Sequence, residues 1–180
     1  MTPEQGRVLL QLARASIASA FGGPKPPHSP EPWLNEPGAT FVSLHQQGDL
    51  RGCVGNIRPL PTLFESVVRN ARAAAFDDSR FAPLEEHELA RTQLEVTVLS
   101  PLEKVPVDSE EEALAKLRPG TDGVVLGYQG RNAVFIPQMW EELPDPKEFL
   151  RHLKRKARFP DDWRPGMSIE RFTAEHWAES

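Results

Sequence analysis

Two stretches of alternating residues, each followed by a Gln-Gly pair, restrict this chain more than any bulk property does. Ala39 to Gln46 places Thr40, Val42 and Leu44 on one side and Phe41 and Ser43 on the other, Gln47-Gly48-Asp49 has turn chemistry, and Leu50 to Gly55 returns. Gly123 to Tyr128 and Asn132 to Ile136 flank Gln129-Gly130-Arg131 in the same way. Period-2 alternation around a glycine-containing turn predicts a β-hairpin, because the turn needs positive φ and the strands need one buried face. Helical stripes surround the hairpins. Thr2-Pro3-Glu4-Gln5 is a capped helix start, with Leu9, Leu12, Ala13, Ser16, Ile17 and Ala20 at helical spacing behind it. Thr62 to Glu65 repeats the capping pattern before a stripe of Phe64, Val67, Val68, Ala71 and Ala75, and Asp145-Pro146-Lys147-Glu148 opens another helix carrying Phe149, Leu150 and Leu153. Further segments predict a short polar helix over Glu85 to Arg91, a strand over Leu94 to Leu99, an acidic helix from Ser109 to Leu117 and a last strand from Ser168 to Thr173. Hairpins mixed with helices, without repeated βαβ units, predict an α+β fold with a largely antiparallel sheet and flanking helices.

The 18 prolines among 180 residues are about twice the usual share, and six of them fall between Gly22 and Gly38. That segment is expected to cross the surface as an extended loop pinned by Trp33. The single cysteine excludes an intrachain disulfide, a cysteine-rich zinc site and a C-x-x-C redox pair. No basic leader precedes a long apolar run, and no stretch approaches a membrane span, so the expected setting is soluble and cytoplasmic with no membrane contact. Net charge is −5, with 8 basic and 10 acidic residues through Ala90 and 13 and 16 after it. Neither half carries the positive excess of a general nucleic-acid binder, so a nucleic-acid partner is not expected.

The chemistry concentrates in Leu50-Arg51-Gly52-Cys53-Val54-Gly55, where glycines stand on both sides of the only cysteine. Glycine weakens a strand interior, so two of them predict a bulge or a close backbone approach. In a regular strand Arg51 and Cys53 project from the same face, and a guanidinium beside a thiol favours the thiolate. The competing reading is a small buried cysteine with Arg51 paired elsewhere.

At this hexapeptide the sequence resembles the AMMECR domain family, also called AmmeMemoRadiSam system protein A. The family's Leu-Arg-Gly-Cys-(Ile/Val)-Gly-(Thr) stands here at Leu50 to Gly55, with Asn56 in the threonine position. Ala75 to Phe81 looks like its A-x-x-D-x-R-F block, Leu94 to Ser100 like its acidic β-branched strand, and Ile136-Pro137-Gln138 like its L-P-Q. Phe149-Leu150 and Lys156-Ala157 continue the order, with Arg158-Phe159 where Gly-Leu is usual and Met139-Trp140 arriving early. The match runs from roughly Leu9 to Phe172 and implies one AMMECR domain over residues 1–180, with two unequal lobes around a cleft near the cysteine.

The resemblance implies a site of Cys53, Glu95 and Asp78 as candidate catalytic groups, with Arg51, Gly52, Gly55, Arg80 and Gln138 as binding groups. Two guanidiniums suit a small anionic ligand, a thiol can attack, and a carboxylate can move a proton. The competing reading is an ion-pair network that fixes a loop. The resemblance names no reaction and no cofactor, and it implies a Memo-like protein and a radical SAM enzyme as partners; the alternative reading is a non-enzymatic adaptor or RNA-associated regulatory module in which the motif is structural. His28, His45, His87, His152 and His176 have no metal-ligand spacing. Lys147 to Arg158 carries six cations, which predicts a solvated helix end favoured by the helix dipole. The four tryptophans, Trp33, Trp140, Trp163 and Trp177, are expected as anchors in apolar surroundings.

Overall fold

Helix α1 (Pro3–Ala18) begins where the capping residues place it: Thr2 Oγ1 accepts from Gln5 N at 3.2 Å, and Gln5 Oε1 accepts from Thr2 N at 2.9 Å. This is a computed structural model, and it describes residues 1–26 and 31–180. The expected proline-rich crossing therefore lies partly outside the described residues, as does His28. Beyond the gap, Pro32–Asn35 forms a 3₁₀ turn that buries Leu34, and Trp33 packs half-buried against the adjacent core.

The chain divides into two units, residues 1–99 with 175–180 and residues 100–174. The first holds a sheet in the order β2-β1-β3-β8, formed by β1 (Ala39–Gln46), β2 (Asp49–Gly55), β3 (Gln93–Leu99) and β8 (Ala174–Ala178). The predicted hairpin forms with a two-residue turn, and Gln47 and Gly48 take φ of 53° and 88°. Thr40, Val42 and Leu44 turn toward α1 and helix α2 (Leu63–Phe76), as the alternation predicts. Leu9, Ala13, Ile17, Val67, Ala71, Leu94 and Val96 complete this core.

The buried stripe of α2 is rotated from the one the apolar residues suggest. Ser66 and Asn70 are buried, whereas Phe64 and Val68 are only half-buried. The reason is a polar network that satisfies both: Asn70 Nδ2 donates to the Thr40 carbonyl at 2.9 Å and to Asn56 Oδ1 at 2.6 Å, and Ser66 Oγ donates to Asn56 Oδ1 at 2.9 Å. A buried polar group that is fully bonded costs little, so the stripe follows hydrogen bonding as well as hydropathy.

The second unit contains a sheet in the order β4-β7-β5-β6, from β4 (Glu103–Val105), β5 (Gly123–Tyr128), β6 (Arg131–Phe135) and β7 (Ser168–Phe172). The second predicted hairpin turns at Gln129 and Gly130, with φ of 50° and 75°. Helices α3 (Glu110–Lys116), α4 (Met139–Glu142) and α5 (Pro146–Ala157) belong to this unit. Trp140 stacks on Phe149 at 3.7 Å between centroids, and its Nε1 donates to the Asp122 carbonyl at 2.7 Å. Lys154, expected on a solvated helix end, is buried and meets Glu110 Oε1 at 2.6 Å. Lys156 donates to the Val134 carbonyl and lies over the Phe135 ring. Three elements had no clear sequence signal: β4 and α4 are only three and four residues long, and β8 follows β7 after the single residue Thr173.

Candidate functional site

The cysteine sits on β2, and each neighbouring glycine has a steric reason. A Cβ on Gly52 would overlap the Ala74 carbonyl oxygen of α2, and one on Gly55 would enter the Phe41 ring. The motif is therefore a place where a helix backbone and an aromatic ring both approach a strand closely.

The register of β1 against β2 pairs Leu44 with Gly52 and then His45 with Leu50, leaving Arg51 as the extra residue of a β-bulge. A bulge interrupts alternation and re-aims one side chain. Arg51 consequently does not stand beside Cys53. Its Nε and Nη2 donate to Glu88 Oε1 and Oε2 at 3.2 and 3.0 Å, and Nη1 donates to the Ala82 carbonyl at 2.9 Å. Gln46 Nε2 also donates to Glu88, at 3.2 Å. The Arg51 fork, acting against the penalty of burial, holds the Glu88 carboxyl down at about 2.

Asp78 and Arg80 act on the backbone of Cys53 itself. Asp78 Oδ2 accepts from Cys53 N at 2.9 Å, Arg80 Nη2 donates to the Cys53 carbonyl at 3.4 Å, and Arg80 Nε and Nη2 bond Asp78 at 3.0 and 2.7 Å. β2 is an edge strand, so this ion pair satisfies groups that a further strand would otherwise pair. The Asp78 side chain is 7% exposed and that of Arg80 57%, and the Arg80 guanidinium holds the Asp78 carboxyl well below the usual carboxylate range.

The face of the sheet turned away from α1 and α2 carries a different set. Ser43 is register partner to Cys53 on one side and to Glu95 on the other, so the three form a row across β2, β1 and β3. Ser43 Oγ donates to Cys53 Sγ at 3.1 Å. Burial pushes the thiol up; the Ser43 bond and the Arg80 charge oppose this without cancelling it. Cys53 is thus held as a neutral thiol, contrary to the thiolate that an adjacent Arg51 would have favoured. Glu95 is half-buried, and no hydrogen bond or ion pair engages its carboxylate among the described residues.

Gln138 belongs to the second unit, at the N-cap of α4, where its Oε1 is buried without a hydrogen-bond partner among the described residues. Of the expected site residues, then, Cys53, Gly52, Gly55, Asp78 and Arg80 meet at β2 and Glu95 shares the row, while Arg51 is committed to Glu88. Sequence reasoning passed over Ser43, whose cross-strand position depends on register, and Glu88, which lies 37 residues from its partner. No group of three His, Cys, Asp or Glu residues among the described residues is arranged to hold a metal ion, and no described helix is long and apolar enough to cross a membrane.

An α+β chain with two antiparallel sheets and a glycine-flanked cysteine on a plugged edge strand defines a recognisable class. The AMMECR1 family model matches residues 10–177. Relatives include a Thermofilum pendens protein, 33% identical over all of this chain and 92% of its own length, and a Methanocaldococcus jannaschii protein, 35% identical over 99% and 92%. A crystal structure of a Pyrococcus horikoshii protein described as uncharacterized superposes with a TM-score of 0.88 at 31% identity, covering 99% of this chain and 93% of that one. The chain belongs to the AMMECR1 family.

Proposed function

We propose that this chain is a binding component that works with a Memo-like protein and a radical SAM enzyme, and that the Cys53, Ser43 and Glu95 row contacts a small polar ligand. The observation that carries this reading is the uncommitted Glu95 carboxylate, in register with a hydroxyl and a neutral thiol. Such a row suits a ligand that presents hydrogen-bond donors, and the carboxylate supplies the strongest of the contacts. Capture of an anion by Arg51 and Arg80 fits less well, since each is bonded bidentately by a carboxylate that is itself largely buried. Attack by Cys53 also fits less well, because the thiolate is the nucleophile and burial disfavours it.

The test is to isolate the chain after co-expression with a Memo-like protein and a radical SAM enzyme from one genome, and to weigh it by native mass spectrometry. The wild type and Cys53→Ser should carry the same added mass and retain the partners, and Glu95→Gln should lose the added mass. Alkylation of Cys53 at neutral pH should run slower than that of free cysteine. Faster alkylation, or loss of the added mass with Cys53→Ser in a folded protein, would replace the binding reading with a nucleophilic one.

A further inference from the structure

One groove in the first unit contains none of the motif residues. It has a volume of about 810 Å³ and lies beside α1, between the end of a 3₁₀ helix over Glu86–Arg91 and residues Glu179 and Ser180. Its side chains include Arg7, Gln11, Arg14, Arg91, Gln93 and Glu179. Counted by side chains, three guanidiniums stand against one carboxylate, a positive excess on a protein whose net charge is −5.

The three arginines differ in their freedom. Arg14 is fixed: it forks onto Glu179 and donates to the Leu89 and Thr92 carbonyls at 3.0 and 2.7 Å, which makes it part of the groove's frame. Arg7 stands two turns before Arg14 on the same face of α1, about 10 Å away along the axis. Its partner is Glu4, in an exposed i,i+3 pair. Arg91 reaches Glu88 only at 3.8 Å, and Glu88 is already bonded bidentately by Arg51. The exposed Arg7–Glu4 pair holds its charges weakly, and the exposed Arg91 guanidinium makes only a long contact to a carboxylate that Arg51 already occupies, so both give way to a better anion. Gln11 and Gln93 add amide donors to the wall.

We infer that this groove binds a small polyvalent anion, gripped by Arg7 and Arg91 on the Arg14 frame. Phosphate esters and polycarboxylates share that chemistry, so two probes separate them. In low-salt buffer, pyrophosphate and citrate are titrated separately into the 15N-labelled protein at constant ionic strength. The amides of Arg7, Gln11, Arg91 and Gln93 should shift in a saturable manner with a Kd below about 1 mM, and the Arg7→Ala/Arg91→Ala variant should weaken binding at least tenfold. Both side chains are exposed, so the variant should keep the wild-type spectrum elsewhere. Saturation by pyrophosphate alone assigns a phosphate ligand, by citrate alone a polycarboxylate, and by both recognition of charge. Absence of saturation with either probe, shifts reproduced by chloride, or unchanged affinity in the double variant overturns the assignment. Glu95→Gln should bind both probes as the wild type does, which keeps this result separate from the fate of the Cys53 row.

Discussion

The two hairpins start from the same turn and end as different objects. Both close on Gln-Gly with positive φ at each residue. After the second turn, β5 and β6 pair in unbroken register, and Val124, Leu126, Ala133 and Phe135 go into the core. After the first, β2 bulges at Arg51, takes a helix backbone onto Gly52 and a ring onto Gly55, and carries a thiol on the opposite face from the core. Turn chemistry sets a hairpin's existence; what packs on it decides whether its strands stay regular. In the irregular hairpin the bulge sends Arg51 to Glu88, while ordinary cross-strand register aligns Cys53 with Ser43 and, on β3, with Glu95.

The contrast is broken most severely at Gly52. Gly52→Ala puts a Cβ against the Ala74 carbonyl, and neither backbone has room to yield, so a loss of about 3 kcal/mol or more is expected in urea unfolding. A loss below about 1 kcal/mol would mean that α2 does not pin this strand.

Removing the charge that holds Arg51 comes next. Glu88→Gln should cost about 2–3 kcal/mol at neutral pH by leaving a half-buried guanidinium short of its carboxylate. Because the folded carboxyl sits at about 2 and the unfolded one near about 4.3, this contribution is fully present above the higher value and fades as pH falls toward the lower. Wild type and variant should therefore converge in stability between about pH 4 and pH 2. Parallel pH profiles would contradict the pairing.

A smaller effect is expected at Asn56, whose Oδ1 accepts from both Asn70 and Ser66. Asn56→Ala should cost about 1–2 kcal/mol in the same measurement, since two buried side chains each lose one of their hydrogen-bond acceptors while keeping Thr40. Smallest and most symmetrical are the turns. Gly48→Ala and Gly130→Ala each place a side chain at φ above 70° with open space around it, so each should cost about 1 kcal/mol. Unequal losses would show that the two turns are not equivalent.

The elements with a period were legible in the sequence: α1 by its capping box and stripe, both hairpins by alternation, α5 by Asp145 and Pro146. The two glycines also announced their irregularity. What composition could not show was its direction, because the bulge turns Arg51 to Glu88 instead of leaving it beside Cys53, and register is a property of two strands at once. Ser66, Asn70 and Lys154 were hidden for a related reason. Polar residues look like surface until their buried partners are in view, and Glu110 is 44 residues from Lys154.

The last strand of the chain belongs to the first unit. Glu179 bonds Arg14 and Leu94, and Trp177 lies so close over α1 that position 6 has no room for a Cβ. A ribosome making this protein releases α1, β1, β2, α2 and β3 long before β8, with the whole of residues 100–174 still to come. Throughout that interval β3 waits with a free edge and Gly6 with an uncovered flank. The first unit to begin is thus finished only after residues 100–174 have been made.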